Sequence, residues 1–213
     1  MRGVTTQSDD YGRHNLFEDS GYHDAVDGGT ALSEPEDRLG YDEGRTPQWH
    51  GGLSFGLLIM RLVLGGTLGA HGLQKVFGLW GGPGISEFSR ILGDQGYTSQ
   101  LTVLSWVGGV TEIAGGALLI FGLFTPAAAA ALLSVTANAV YLKYQAGFFL
   151  GSGGGFEYHL VLGGIALALL FTGPGGISID TNTPWRHRPV PFGIVGLILA
   201  AGAVVAVTFL FRR

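Results

Sequence analysis

A single carboxylate, Glu112, stands near the middle of the apolar run 107–125. A charged residue at the centre of a bilayer costs roughly 2.5 to 3.5 kcal/mol on insertion scales, so Glu112 must be neutralised, paired or used. Other apolar runs carry polar residues of their own: Arg61, His71 and Lys75 in the first, Asn138 in the third, and Glu157, Tyr158 and His159 at the start of the fourth. Two kinds of chemistry follow from these types. A guanidinium beside a carboxylate makes a charge-assisted pair, which assigns Arg61, Glu112 and Asn138 to one intramembrane polar network whose plainest role is to hold helices together. Two histidines on different spans at similar depth suit a quinone ring or, less well, a b-type haem, so His71, Lys75, Glu157, Tyr158 and His159 form a candidate headgroup site. No catalytic residue and no metal site is assigned from these spacings.

These groups can act together only if helices bring them together. The first span covers about 53–77, with Trp49 and Trp80 suited to the two interfaces. At 100° per residue Arg61, Gly65, Leu68, Gly72 and Lys75 share one stripe with His71 at its edge, and Gly65 and Gly69 permit close helix approach. The segment 78–100 is a loop with a short interfacial helix, since Ile85, Phe88, Ile91 and Leu92 recur at helical spacing. A second span covers about 101–124. A third follows Thr125-Pro126 and runs to about 145, antiparallel to the second because the link is so short. The glycine-rich link 147–155 lacks the lysine and serine of a phosphate loop and reads as a flexible turn. A fourth span covers about 156–172, and a fifth, 192–211, has no interior charge.

Depth follows from a rise of 1.5 Å per residue. Measured from the side of the N-terminus, Arg61 lies roughly 12 Å deep, Glu112 and Asn138 roughly 18 Å, and His71 roughly 27 Å. The predicted pair is therefore Arg61 with Glu112, a long side chain spanning a small offset. His71 and Lys75 instead approach the start of the fourth span at the other face.

Composition sets the wider frame. The chain has 213 residues, 46% hydrophobic and 13% charged, with a mean hydropathy of +0.35, which identifies an integral membrane protein rather than a soluble domain. Residues 1–50 hold 11 of the 16 acids but 4 of the 12 basic residues, leaving 8 basic and 5 acidic residues in the remainder, a net +3. An acidic tail, disordered by its composition, thus precedes a mildly basic membrane domain. The absence of cysteine excludes disulfides, cysteine-ligated iron–sulfur clusters and covalently attached haem. The tail lacks the apolar core of a signal peptide, which predicts a cytoplasmic N-terminus, although basic residues near the two faces are too evenly shared for the positive-inside rule to decide orientation.

The motifs Arg61-Leu, His71-Gly-Leu-Gln-Lys75, Gly81-Gly-Pro-Gly84, the run from Glu112 to Pro126, and Gly173-Pro-Gly-Gly-Ile-Ser-Ile-Asp180 together resemble the DoxX family of small four-helix membrane proteins. That resemblance implies a place in bacterial membrane redox chemistry, beside quinone-linked, sulfur- or thiol-oxidising complexes. The expected architecture is all-α: an integral membrane four-helix bundle over 51–180, preceded by the tail at 1–50 and followed at 181–213 by a connection and a fifth, C-terminal transmembrane helix. The tail and fifth helix exceed what shorter members of the family have. They favour an accessory subunit of a membrane oxidoreductase or respiratory-chain complex, docked through those two parts in a bacterial-type plasma membrane. The alternative is a subunit that itself binds quinone and moves protons; a transporter ranks third, for lack of an inverted repeat or broken helix. The bilayer is the one certain partner, and no nucleic-acid partner is expected.

Overall fold

The computed structural model describes residues 51–151 and 154–212. The acidic tail and Trp49 lie outside the described residues. Every regular element among those described is helical. In order they are α1 (Gly51–Phe77), α2 (Gly84–Asp94), α3 (Leu101–Phe121), α4 (Thr125–Lys143), α5 (Glu157–Thr172), the short α6 (Pro184–His187) and α7 (Pro189–Phe211). Among the described residues four segments are long and apolar enough to cross a membrane: α1, α3, α4 with its 3-10 extension to Ala146, and α7. At 16 residues α5 spans about 24 Å, and it packs against α4 and α7.

Turn chemistry explains where the helices stop. At Gly122 the backbone takes φ 65°, a left-handed cap that closes α3, and Phe124 at φ 48° reverses the chain into α4, whose second residue is Pro126. The ends of α2 are set off in the same way, by Gly78 and Gly81 before it, Gly84 at its first position and Gly96 after it, all at positive φ.

Small residues set the closest helix contact. A Cβ on Gly65 would lie 2.6 Å from the Gly116 carbonyl oxygen, and one on Gly72 would lie 2.8 Å from that of Gly109. The backbones of α1 and α3 touch at these points, as the small-residue spacing on α1 anticipates. The contacts also fix an antiparallel register in which Gly65 faces Gly116 and Gly72 faces Gly109. Around this seam Leu64, Leu119, Leu132, Ala166, Leu169 and Leu170 form the buried core.

That register corrects the predicted ion pair. It carries Arg61 to the level of Gly122, ten residues and about 15 Å beyond Glu112 along α3, farther than one side chain reaches. It brings Lys75, on the same buried stripe of α1, to Glu112 instead.

Candidate functional site

The polar residues of the membrane helices fall into separate groups rather than one network. Glu112, 2% exposed, accepts a hydrogen bond from Lys75 Nζ at 2.5 Å through Oε1, while its buried Oε2 has no partner among the described residues. Lys75 also lies over the Phe88 ring, 5.0 Å from its centroid, so α2 covers this pair from the membrane surface. One turn away, His71 is held at both nitrogens, Nδ1 at 3.2 Å from Gln74 Oε1 and Nε2 at 2.9 Å from the Tyr158 hydroxyl.

Arg61 belongs to the opposite face. It is fully buried and donates to the carbonyl of Ile177, in the connection after α5. Its Nη1 occupies the place where a Cβ of residue 122 would stand. Asp180, 1% exposed, accepts from Thr125 N at 3.0 Å and Thr125 Oγ1 at 3.2 Å, capping α4 from 55 residues away. The segment 173–180 therefore folds back into the bundle, held to α1 by Arg61 at the Ile177 carbonyl and to α4 by Asp180 at Thr125. The link between Asp180 and the start of α4 was not drawn from sequence, although Thr125-Pro126 and Asp180 both stand in the quoted motifs.

Asn138 lies close to the level of Glu112 but turns elsewhere, its Oδ1 accepting the Tyr97 hydroxyl at 2.8 Å. Burial raises the Tyr97 phenol above its ordinary range, which keeps it a donor at neutral pH. Glu157 also departs from the headgroup set: its Oε1 accepts from Leu150 N at 2.8 Å and ties the glycine-rich link to α5.

Between α2, α3, α4 and α7 runs a cavity of about 830 Å³. Most of its polar residues gather at one end: His71, Gln74 and Lys75 from the close of α1, Gln95 and Tyr97 from the turn after α2, Thr111 from α3, Asn138 and Lys143 from the close of α4, and His159 from the start of α5. Away from that end the walls are apolar, formed by Pro126, Ala130, Phe192, Leu199 and Val207 among others. Ser134 adds little polarity, because its hydroxyl donates to the Ala131 carbonyl at 2.7 Å. From Pro126 to Lys143 the cavity follows α4 for about 25 Å. It offers one polar end and a long apolar channel.

The structure thus joins His71 to Tyr158 and Lys75 to Glu112, and sets His159 on the cavity wall with its Nδ1 unpartnered among the described residues. It separates Arg61, Asn138 and Glu157 from these pairs. A haem held between His71 and His159 does not fit, since both ring nitrogens of His71 are engaged by protein groups. Among the described residues no three of His, Cys, Asp and Glu gather as metal ligands would.

Apolar helices of membrane-crossing length, packed through glycines around buried charges, define an all-α, multi-pass membrane protein. Residues 56–145, the stretch from α1 to the end of α4, match the DoxX family model. No curated protein and no solved structure matches the chain.

Proposed function

We propose that the chain is a membrane subunit of a quinone-linked redox assembly, and that the cavity along α4 receives the quinone. The observation that carries this reading is the cavity's polarity: a cluster of polar side chains at one end and an apolar channel about 18 Å long behind them, from Asn138 to Pro126 along α4. That form matches a polar ring with an isoprenoid tail, and the volume falls within the range of roughly 300–1,000 Å³ common to small-molecule sites. Lys75 and Lys143 would face the ring, with Gln74, Asn138 and His159 orienting it. A quinone supplies two-electron, two-proton redox chemistry when bound. On the protein side, Lys75 Nζ joins the buried Glu112 to the cavity wall, so a proton exchanged between Glu112 and the cavity passes over one atom.

A purely accessory role draws on different parts. The acidic tail lies outside the described residues. The last helix of membrane-crossing length, α7, packs against α4 and α5 and leaves Ile194, Ile198, Val205 and Phe209 exposed on its outer side, a face equally suited to lipid or to a neighbouring subunit. Both roles are compatible with one subunit.

The test is to narrow the channel without touching a polar group. Ala131→Trp, at a half-buried position on the cavity wall, should abolish binding of a decyl-substituted benzoquinone to the protein in nanodiscs and leave the folded yield intact. Unchanged binding by the folded variant would refute the location of the site.

A further inference from the structure

The polar end of the cavity is rich in hydrogen-bond donors because its acceptors are already engaged. Gln74 gives its Oε1 to His71 Nδ1, and Asn138 gives its Oδ1 to Tyr97. Each of these amides therefore has its NH2 group without a protein partner among the described residues, and both line the cavity. The His71 tautomer agrees with this order: with Nδ1–H donating to Gln74, Nε2 accepts from Tyr158. Lys75 has further N–H bonds beyond the one to Glu112, and Lys143 makes no hydrogen bond within the described protein while also lining the cavity. An ammonium group has no acceptor capacity at all. On the other side of the balance stand Gln95, whose amide is unengaged at both ends among the described residues, His159, which can present either role at Nδ1, and the hydroxyl oxygens of Tyr97, Thr111 and Ser134, single acceptors against the several N–H groups of two lysines and three amides. Donors prevail.

A donor-rich pocket discriminates by what it leaves unpaired. A headgroup that only accepts satisfies these N–H groups. A headgroup that must also donate finds few acceptors and is buried with its own O–H groups unmet, which weakens binding by roughly tenfold or more for each group stranded. Resting on the quinone reading above, we infer that the cavity selects the oxidised, dicarbonyl form of its ligand over the reduced, dihydroxy form. Such a site takes up quinone and releases quinol. This is the behaviour required where the ring is reduced, or where oxidised ring is delivered to a partner that reduces it.

The test compares a decyl-substituted benzoquinone with its hydroquinone, kept reduced under anaerobic conditions, by calorimetric titration of the full chain in nanodiscs. The expected result is a dissociation constant at least tenfold lower for the quinone. Asn138→Asp keeps the acceptor for Tyr97 but removes the two N–H donors, and should reduce quinone affinity by about tenfold, as one stranded polar group implies, while hydroquinone affinity holds or improves. Lys143→Met, which breaks no hydrogen bond described within the protein, should lower quinone affinity severalfold in a fully folded protein. Equal binding of both forms, or tighter binding of the hydroquinone, would overturn the selectivity and leave the cavity reading standing. Failure of both forms to bind would overturn the cavity reading and the selectivity with it.

Discussion

Lys75 Nζ stands 2.5 Å from Glu112 Oε1, joining the last turn of α1 to the middle of α3. The carboxylate is buried while the ammonium side chain keeps 26% of its exposure and borders the cavity. One partner of the pair thus belongs to the core and the other to the site.

Removing the ammonium group alone strands a buried carboxylate. Lys75→Met should cost about 3 kcal/mol, the lower part of the range for breaking a buried pair, whereas Lys75→Met with Glu112→Leu should recover most of it. Thermal unfolding of the singles and the double variant checks this, and a double variant no more stable than Lys75→Met would show that the pair contributes nothing as a unit.

At the opposite face, Gly122 makes room for Arg61. A methyl group there meets both a left-handed backbone, φ 65°, and the guanidinium itself. Gly122→Ala should destabilise the protein by at least about 2 kcal/mol, combining the left-handed penalty with displacement of a buried side chain. A melting temperature equal to wild type would mean that Arg61 has another resting place.

The cap on α4 can be probed separately. Asp180→Ala removes the acceptor for Thr125 N and Oγ1 and should cost about 1–2 kcal/mol, as other lost helix caps do, while Asp180→Asn keeps an acceptor and should lose less. Hydrogen exchange over residues 125–128 reads the effect locally. Equal protection in Asp180→Ala and wild type would rule out the capping role.

On α2 a titration is expected at acid pH. Glu87 is hydrogen-bonded by Arg90, which also pairs with Asp94, and the Arg90 hydrogen bond holds the Glu87 carboxyl below its ordinary range while raising the guanidinium. A carboxylate depressed in the folded state contributes stability above its unfolded pKa and loses it as pH falls through the folded value. The helix should therefore keep its hydrogen-exchange protection at pH 5–8 and begin to loosen only below the ordinary glutamate range near about 4.3. Because both side chains are exposed, the change should be small and should shrink in high salt. Loosening that begins at pH 6 would point to a different group.

Much of the architecture was legible in the residues. Apolar runs separated by Gly- and Pro-rich links located α1, α3, α4, α5 and α7 to within a few residues, and the spacing of Ile85, Phe88, Ile91 and Leu92 located α2. The inward stripe of α1 held as well, with Arg61, Gly65, Leu68 and Gly72 all buried. Partner choice was harder to read. Depths counted from the estimated ends of two helices carry the errors of both, and a few residues of register decide whether Arg61 or Lys75 meets Glu112. The glycines that fix that register were visible in the sequence, but which glycine of α3 meets Gly65 was not. The contact at Asp180 was hidden for another reason: it depends on a connecting segment folding back into the bundle, and no periodicity marks such a move.

The cavity along α4 carries the functional reading, and site-resolved labelling tests it most directly. The full chain in nanodiscs would be irradiated with a photoreactive, decyl-tailed quinone and the modified residues mapped by mass spectrometry, with and without excess unlabelled quinone. The expected result is competed labelling of cavity-lining positions such as Ser134, Asn138, Val195 and Leu199. Uncompeted labelling spread over lipid-facing positions such as Phe55, Ile59 and Phe209, with none in the cavity, would contradict it.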